Sequence, residues 1–175
     1  MASNITAVDT EVGIRLKSRR GRGGIVENVR FDNWTMEHVG TGIIISSYYI
    51  MGGETATSIQ PVSERTPAFR NIGISHVTID GAKKKGVDID GLPEMPIQGV
   101  RLMDVTGSGR IGLTARHTDA LELHQVRLDS DVAPVFSIES ATNLELDEVT
   151  NSKRAPTSSL LRLKDSPDAL IRNSR

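Results

Sequence analysis

The nine residues NVRFDNWTM, 28 to 36, place apolar side chains second, fourth and seventh, at Val29, Phe31 and Trp34. The spacing returns in NIGISHVTI from Asn71, GVRLMDVTG from Gly99, ALELHQVRL from Ala120 and NLELDEVTN from Asn143. These starts lie 43, 28, 21 and 23 residues apart, and the first interval holds a polar insertion, MGGETATSIQPVSERTP, at 51 to 67. Self-similarity on this scale marks a chain of stacked supersecondary units, none of which buries its apolar face alone.

A second short strand follows inside each unit: GIIIS (42–46), GVDID (86–90), RIGLT (110–114), VFSIE (135–139) and LLRLK (160–164). The period within strands is two, and Gly, Asn, Asp and Ser mark the turns. No segment carries a convincing helical period. The pattern predicts an all-β solenoid, a parallel β-helix of about five coils, with each strand pairing with its equivalent one coil on. It forms one domain over residues 1–175, with 51–67 as a loop insertion. A leucine-rich repeat is the alternative, but its L-x-x-L-x-L pattern is not sustained.

Near the start, NITAVDTEVGIRLK (4–17) aligns without a gap on NWTMEHVGTGIIIS (33–46), Asn4 on Asn33 and Gly13 on Gly42. GIRLK is therefore a second strand, with Ile14 and Leu16 facing in and Arg15 and Lys17 facing out. Stacking the coils predicts two outward ladders: Arg15, Ile44, Asp88, Gly112, Ser137, Arg162, and Lys17, Ser46, Asp90, Thr114, Glu139, Lys164. The alignment also places the start of the chain partway through a coil. An open coil end would expose Ile5, Ile14 and Leu16 and an unpaired strand edge, so self-association is expected there.

The stretch GIRLKSRRGRGG (13–24) holds five cations, in a chain of 175 residues with net charge −1. Near-neutral overall charge argues against bulk electrostatic binding to nucleic acid, so any anion site is local. A single RRGRGG without flanking low complexity is a weak RNA-binding signal. Cysteine is absent, which excludes disulfides, thiol nucleophiles and thiolate zinc sites. His38, His76, His117 and His124 lack metal-ligand spacing, and no metal or cofactor is expected. No apolar run approaches the ~18 residues that span a membrane. Arg15 and Lys17 on one rigid strand suit a carboxylate ligand, Arg as a bidentate fork and Lys as a point charge. Asp88 and Asp90 also share a strand face, but with no acid or base partner identifiable they are read as solvated spectators or a weak cation site and not as a catalytic dyad. KKK (83–85) is read as a solvated turn, and Trp34 as core.

Residues 13–49, GIRLKSRRGRGGIVENVRFDNWTMEHV…IIISSYY, resemble the segment around the R-I-K motif of family-28 glycoside hydrolases, the polygalacturonases and related pectin hydrolases. The resemblance implies a right-handed parallel β-helix. It implies that Arg15 and Lys17 hold a galacturonate carboxylate beside the scissile bond, with Leu16 in place of Ile. Tyr48 or Tyr49 matches the family's aromatic substrate contact, and RGRGG is the turn after the strand. The family's catalytic aspartates lie upstream in N-x-D and D-D motifs, with a histidine in G-H-G; none of these motifs occurs here. The expectation is the C-terminal part of a polygalacturonase-like enzyme that binds galacturonan-like acidic polysaccharide and carries no catalytic residues. The alternative is a non-catalytic β-helix that binds acidic saccharide or serves as an assembly module. The resemblance implies a secreted or periplasmic setting, although no signal peptide is visible.

Overall fold

A computed structural model describes residues 1–48, 58–152 and 159–174. Among them lie ten strands and no helix: β1 Ala2–Val8, β2 Val12–Lys17, β3 Ile25–Glu37, β4 Thr41–Ser46, β5 Ala68–Asp90, β6 Ile97–Ser130, β7 Phe136–Thr142, β8 Glu145–Asp147, β9 Leu161–Lys164 and β10 Leu170–Arg172. Every pairing between them is parallel and joins a residue to its equivalent one coil later, such as Ile5 to Trp34 and Trp34 to Val77. This is a parallel β-helix. Part of the loop insertion, 51–57, lies outside the described residues.

The second-fourth-seventh spacing has a local cause. Simple alternation would bury the second, fourth and sixth places. Here the sixth place takes a left-handed backbone in every unit: Asn33, His76, Asp104, Gln125 and Glu148, all with φ between 51° and 57°. That residue bends the chain and resets which side faces in. The first place does the same at Asn28, Asn71, Gly99, Ala120 and Asn143. For L-residues this region is costly, least so for Gly, Asn and Asp. Stacked asparagines help to offset the cost. Asn33 Nδ2 donates to Asn4 Oδ1 at 2.7 Å, and Asn71 Nδ2 donates to Asn28 Oδ1 at 2.5 Å.

The inward places form one continuous core that includes Ile72, Ile74, Val77, Val100, Leu102, Val105, Leu121, Leu123, Val126, Leu144, Leu146 and Val149. Trp34 is buried with them; its Nε1 donates to the Ala2 carbonyl at 3.2 Å, and Phe31 meets it edge-on at 5.8 Å. Of the three apolar residues expected at an open coil end, Ile5 is exposed and Leu16 is half-buried. Ile14 instead is only 1% exposed, inside the core.

One register differs from the sequence expectation. Asp88 pairs with Thr114 and Asp90 with Arg116, so the strand of that coil is GLTAR (112–116), not RIGLT (110–114). Within β5 the chain advances six residues from Ile79 to Lys85, whereas the paired stretch of β6 advances four from Gly107 to Ile111. The corrected ladders read Arg15, Ile44, Asp88, Thr114, Ser137, Arg162 and Lys17, Ser46, Asp90, Arg116, Glu139, Lys164. A column of glycines, Gly13, Gly42, Gly86 and Gly112, runs beside them where successive coils approach closely. A Cβ on Gly42 would sit 2.5 Å from the Gly86 carbonyl oxygen, and one on Gly86 would sit 2.8 Å from that of Gly112.

Candidate substrate-binding face

The outward ladders lie on one sheet built from β2, β4 and the later parts of β5 and β6, continued by β7 and β9. Neighbouring rungs are ~4.8 Å apart. Arg15 and Lys17 occupy its first rung and both are exposed, while the Leu16 side chain between them packs on the core. Glu11 lies 3.2 Å from the Arg15 guanidinium, an exposed pair of small energetic weight.

The second rung carries Ile44 and Ser46. The Ser46 hydroxyl accepts from the Tyr48 amide at 3.0 Å and lies 3.2 Å from the Tyr48 carbonyl, to which it donates. This turn holds Tyr48 just past the ladder. Tyr49 lies outside the described residues. Arg20 reaches back over the Tyr48 ring, with 6.0 Å between its guanidinium carbon and the ring centroid. The same guanidinium forks onto Glu94, Nε to Oε1 at 2.6 Å and Nη2 to Oε2 at 2.8 Å, and Nη2 also donates to the Ser58 carbonyl at 3.1 Å. The two side chains are only 12% and 4% exposed. Burial, reinforced by the charge of Asp90, raises the pKa of the Tyr48 hydroxyl. The bond from Arg20 holds the Glu94 carboxyl below its ordinary value.

On the third and fourth rungs the charges neutralise one another. Asp88 Oδ1 accepts from Lys85 Nζ at 2.7 Å and from Thr114 Oγ1 at 2.6 Å. Arg116 donates to both Asp90 oxygens, at 3.1 and 2.9 Å. Burial raises the pKa of Asp90, and the bond from Arg116 opposes that shift. These residues line a cleft of about 180 Å³ that continues to Ser137 and Glu139, the latter paired with Lys164. Each of Asp88 and Asp90 thus has a cation bound to it.

Arg15 and Lys17 thus fall on one face, and Asp88 and Asp90 fall two rungs on, as the repeat alignment expects. Lys85 was expected in a solvated turn; it lies in β5 instead and holds Asp88. Arg116 was missed, although aligning Gly86 on Gly112 instead of on Arg110 would have found it. Arg20 and Glu94 were missed too. They are 74 residues apart, and no local pattern links them.

Two histidines elsewhere should titrate on opposite sides of the ordinary value of about 6.5. Asp32 Oδ1 lies 2.6 Å from His76 Nδ1, and that hydrogen bond raises the His76 pKa. Burial, followed by the charge of Arg116, lowers that of His117. Because the folded value of His76 exceeds its unfolded one, the pair contributes stability below the unfolded value and loses it as pH rises through the folded one. Ring-proton NMR across pH 5 to 8 checks the order, and His117 titrating above His76 would contradict it.

Fold and face together define a β-solenoid with a charged groove along one exposed sheet. The chain matches the model of glycosyl hydrolases family 28 over residues 1–117, and it belongs to that family. It is 31% identical over 99 residues to a probable polygalacturonase of Arabidopsis thaliana, covering 55% of this chain and 21% of that protein. It is 30% identical over 105 residues to a polygalacturonase of Persea americana, covering 58% and 21%. A probable endopolygalacturonase B of Aspergillus kawachii is 31% identical over 88 residues, covering 50% and 23%. The chain therefore spans about a fifth of the length of the curated relatives it matches. No solved structure matches it significantly.

Proposed function

We propose that this chain supplies the carboxylate-binding part of a polygalacturonase-type substrate site, with Arg15 and Lys17 as the anchors and Tyr48 as the aromatic contact. The observation that carries the proposal is that Arg15 and Lys17 stand side by side, exposed, at the head of a grooved ladder. The ligand class is a galacturonan-like acidic polysaccharide. Inverting hydrolysis needs an acid and a base carboxylate ~6.5–9.5 Å apart across the bond. The carboxylates that line the groove here, Asp88, Asp90 and Glu139, are each held by a cation. The chain by itself is accordingly a binding element, one domain in extent, and releases no reducing ends from polygalacturonate.

Titration with an oligogalacturonate, followed by NMR, tests this. Each exposed charge-assisted contact contributes on the order of 1 kcal/mol and weakens with salt. A half-site should therefore bind in the millimolar range, about −4 kcal/mol. Arg15→Ala/Lys17→Ala should remove the binding, and Arg19→Ala/Arg22→Ala should keep it. Arg20 is unsuitable for that control because it packs on Tyr48 and Glu94. Binding that survives the first pair and disappears with the second would make the basic turn a nonspecific anion patch.

A further inference from the structure

We infer that the ladder beyond Arg15 and Lys17 selects a sugar unit without a free carboxylate, so that the face prefers a uronate with an uncharged or esterified unit two positions on to an unbroken run of uronates. This rests on the anchor role proposed for Arg15 and Lys17.

The two ladders are continuous with the anchors in strand register: Arg15 leads through Ile44 to Asp88, and Lys17 through Ser46 to Asp90. One rung, ~4.8 Å, is about the length of one pyranose along an extended polysaccharide. A chain lying along the groove with one carboxylate on the first rung therefore places the unit two positions on over Asp88 and Asp90. The cations of that region are already engaged. Lys85 donates to Asp88 and Thr114, and Arg116 donates through Nε and Nη2 to the two oxygens of Asp90.

The cleft at this point is lined by Lys85 and Arg116 against Asp88, Asp90 and Glu139. Lys85 and Arg116 balance Asp88 and Asp90, and Lys164 holds Glu139, which leaves the cleft with no spare positive charge. A second carboxylate would lie beside carboxylates whose cations are already paired, and like-charge juxtaposition suppresses the wrong ligand as effectively as new contacts favour the right one. A neutral unit fares differently. Its hydroxyls donate, and the aspartate oxygens accept. The Ser137 hydroxyl lies at the same cleft.

The experiment compares two probes of equal length, a fully de-esterified oligogalacturonate and a partially methyl-esterified one, by calorimetric or NMR titration of the 175-residue chain. The esterified probe should bind about fivefold more tightly, the size of one screened like-charge contact. Asp90→Asn should release Arg116 for a ligand carboxylate and remove the preference, mainly by tightening the de-esterified probe. Asp88→Asn should narrow it in the same direction, so the test does not depend on one variant folding. Equal affinities for both probes in the unaltered chain, or a preference untouched by both variants, would overturn the inference. Failure of the anchor role shows separately: Arg15→Ala/Lys17→Ala would then leave both affinities unchanged.

Discussion

Gly42→Val is expected to remove most of the stability of the coil stack. A Cβ at this position would lie 2.5 Å from the Gly86 carbonyl oxygen and 2.7 Å from Ile79 Cδ1. The oxygen belongs to the next coil. Parallel pairing on either side, Thr41 with Lys85 and Ile43 with Val87, sets its distance. Relief would require opening the ladder between β4 and β5 or displacing a core isoleucine, and valine adds two further methyls. Overpacking against backbone belongs among the severe substitutions, at about 4 kcal/mol or more, against a typical total of ~5–15 kcal/mol. For a chain of this size the melting temperature should fall by roughly 10 °C or more, or the cooperative transition should disappear. Gly81→Ala is the comparison. Gly81 has φ +65° and no atom within 4 Å of its virtual Cβ, so only the left-handed backbone penalty of about 1 kcal/mol applies. A Gly42→Val protein melting with the unaltered chain would show that the coils can separate locally at little cost.

The second large effect is expected at Glu94→Ala. The substitution leaves the Arg20 guanidinium, in a side chain only 12% exposed, with its fork of two short bonds gone. Breaking a buried ion pair from one side costs about 3–5 kcal/mol, and the low end, about 3 kcal/mol, is expected here because the pair is part-buried and the guanidinium keeps its bond to the Ser58 carbonyl. Arg20→Met/Glu94→Leu should recover much of that loss, since replacing both partners with apolar side chains removes the desolvation as well. Urea midpoints of the two single variants and the double variant complete the cycle. The Arg20 bond holds Glu94's folded pKa below its unfolded value. Its contribution is therefore present above the unfolded value and lost as pH falls through the folded one. The gap between the unaltered chain and Glu94→Ala should narrow in acid. A double variant as unstable as Glu94→Ala would mean that packing of the two stems, and not the loss of the carboxylate beside the guanidinium, sets the cost. Because Arg20 also covers the Tyr48 ring, the double variant should loosen that tyrosine even where stability returns.

Much of the fold was legible because a solenoid writes its contacts into the sequence at short range. Each coil repeats the inward places of the last, so Val29, Ile72, Val100, Leu121 and Leu144 announce one another. The gapless alignment of 4–17 on 33–46 gave the correct pairing of Ile14 with Ile43 and of Lys17 with Ser46. Even the odd step from the fourth place to the seventh is local, set by one left-handed residue per bend. The outward direction of Arg15 and Lys17 follows from strand alternation alone.

Other features needed the tertiary structure. Turn length between strands is free to vary, because an extra residue in an exposed turn costs the stack little. Apolar alternation alone therefore placed Thr114 in the wrong ladder, two residues out along its strand, and hid Arg116. The closeness of neighbouring coils at Gly86 and Gly112 goes with that register, and it is a property of the stack. The Arg20–Glu94 pair joins two turns 74 residues apart, where no periodicity reaches. The sequence by itself determined the solenoid, its inward face and the basic pair at the head of the ladder, because those depend on repeating local geometry. Only the tertiary structure decided which charges on the outer face neutralise one another, because those pairs depend on how far each turn carries the chain before the next strand begins.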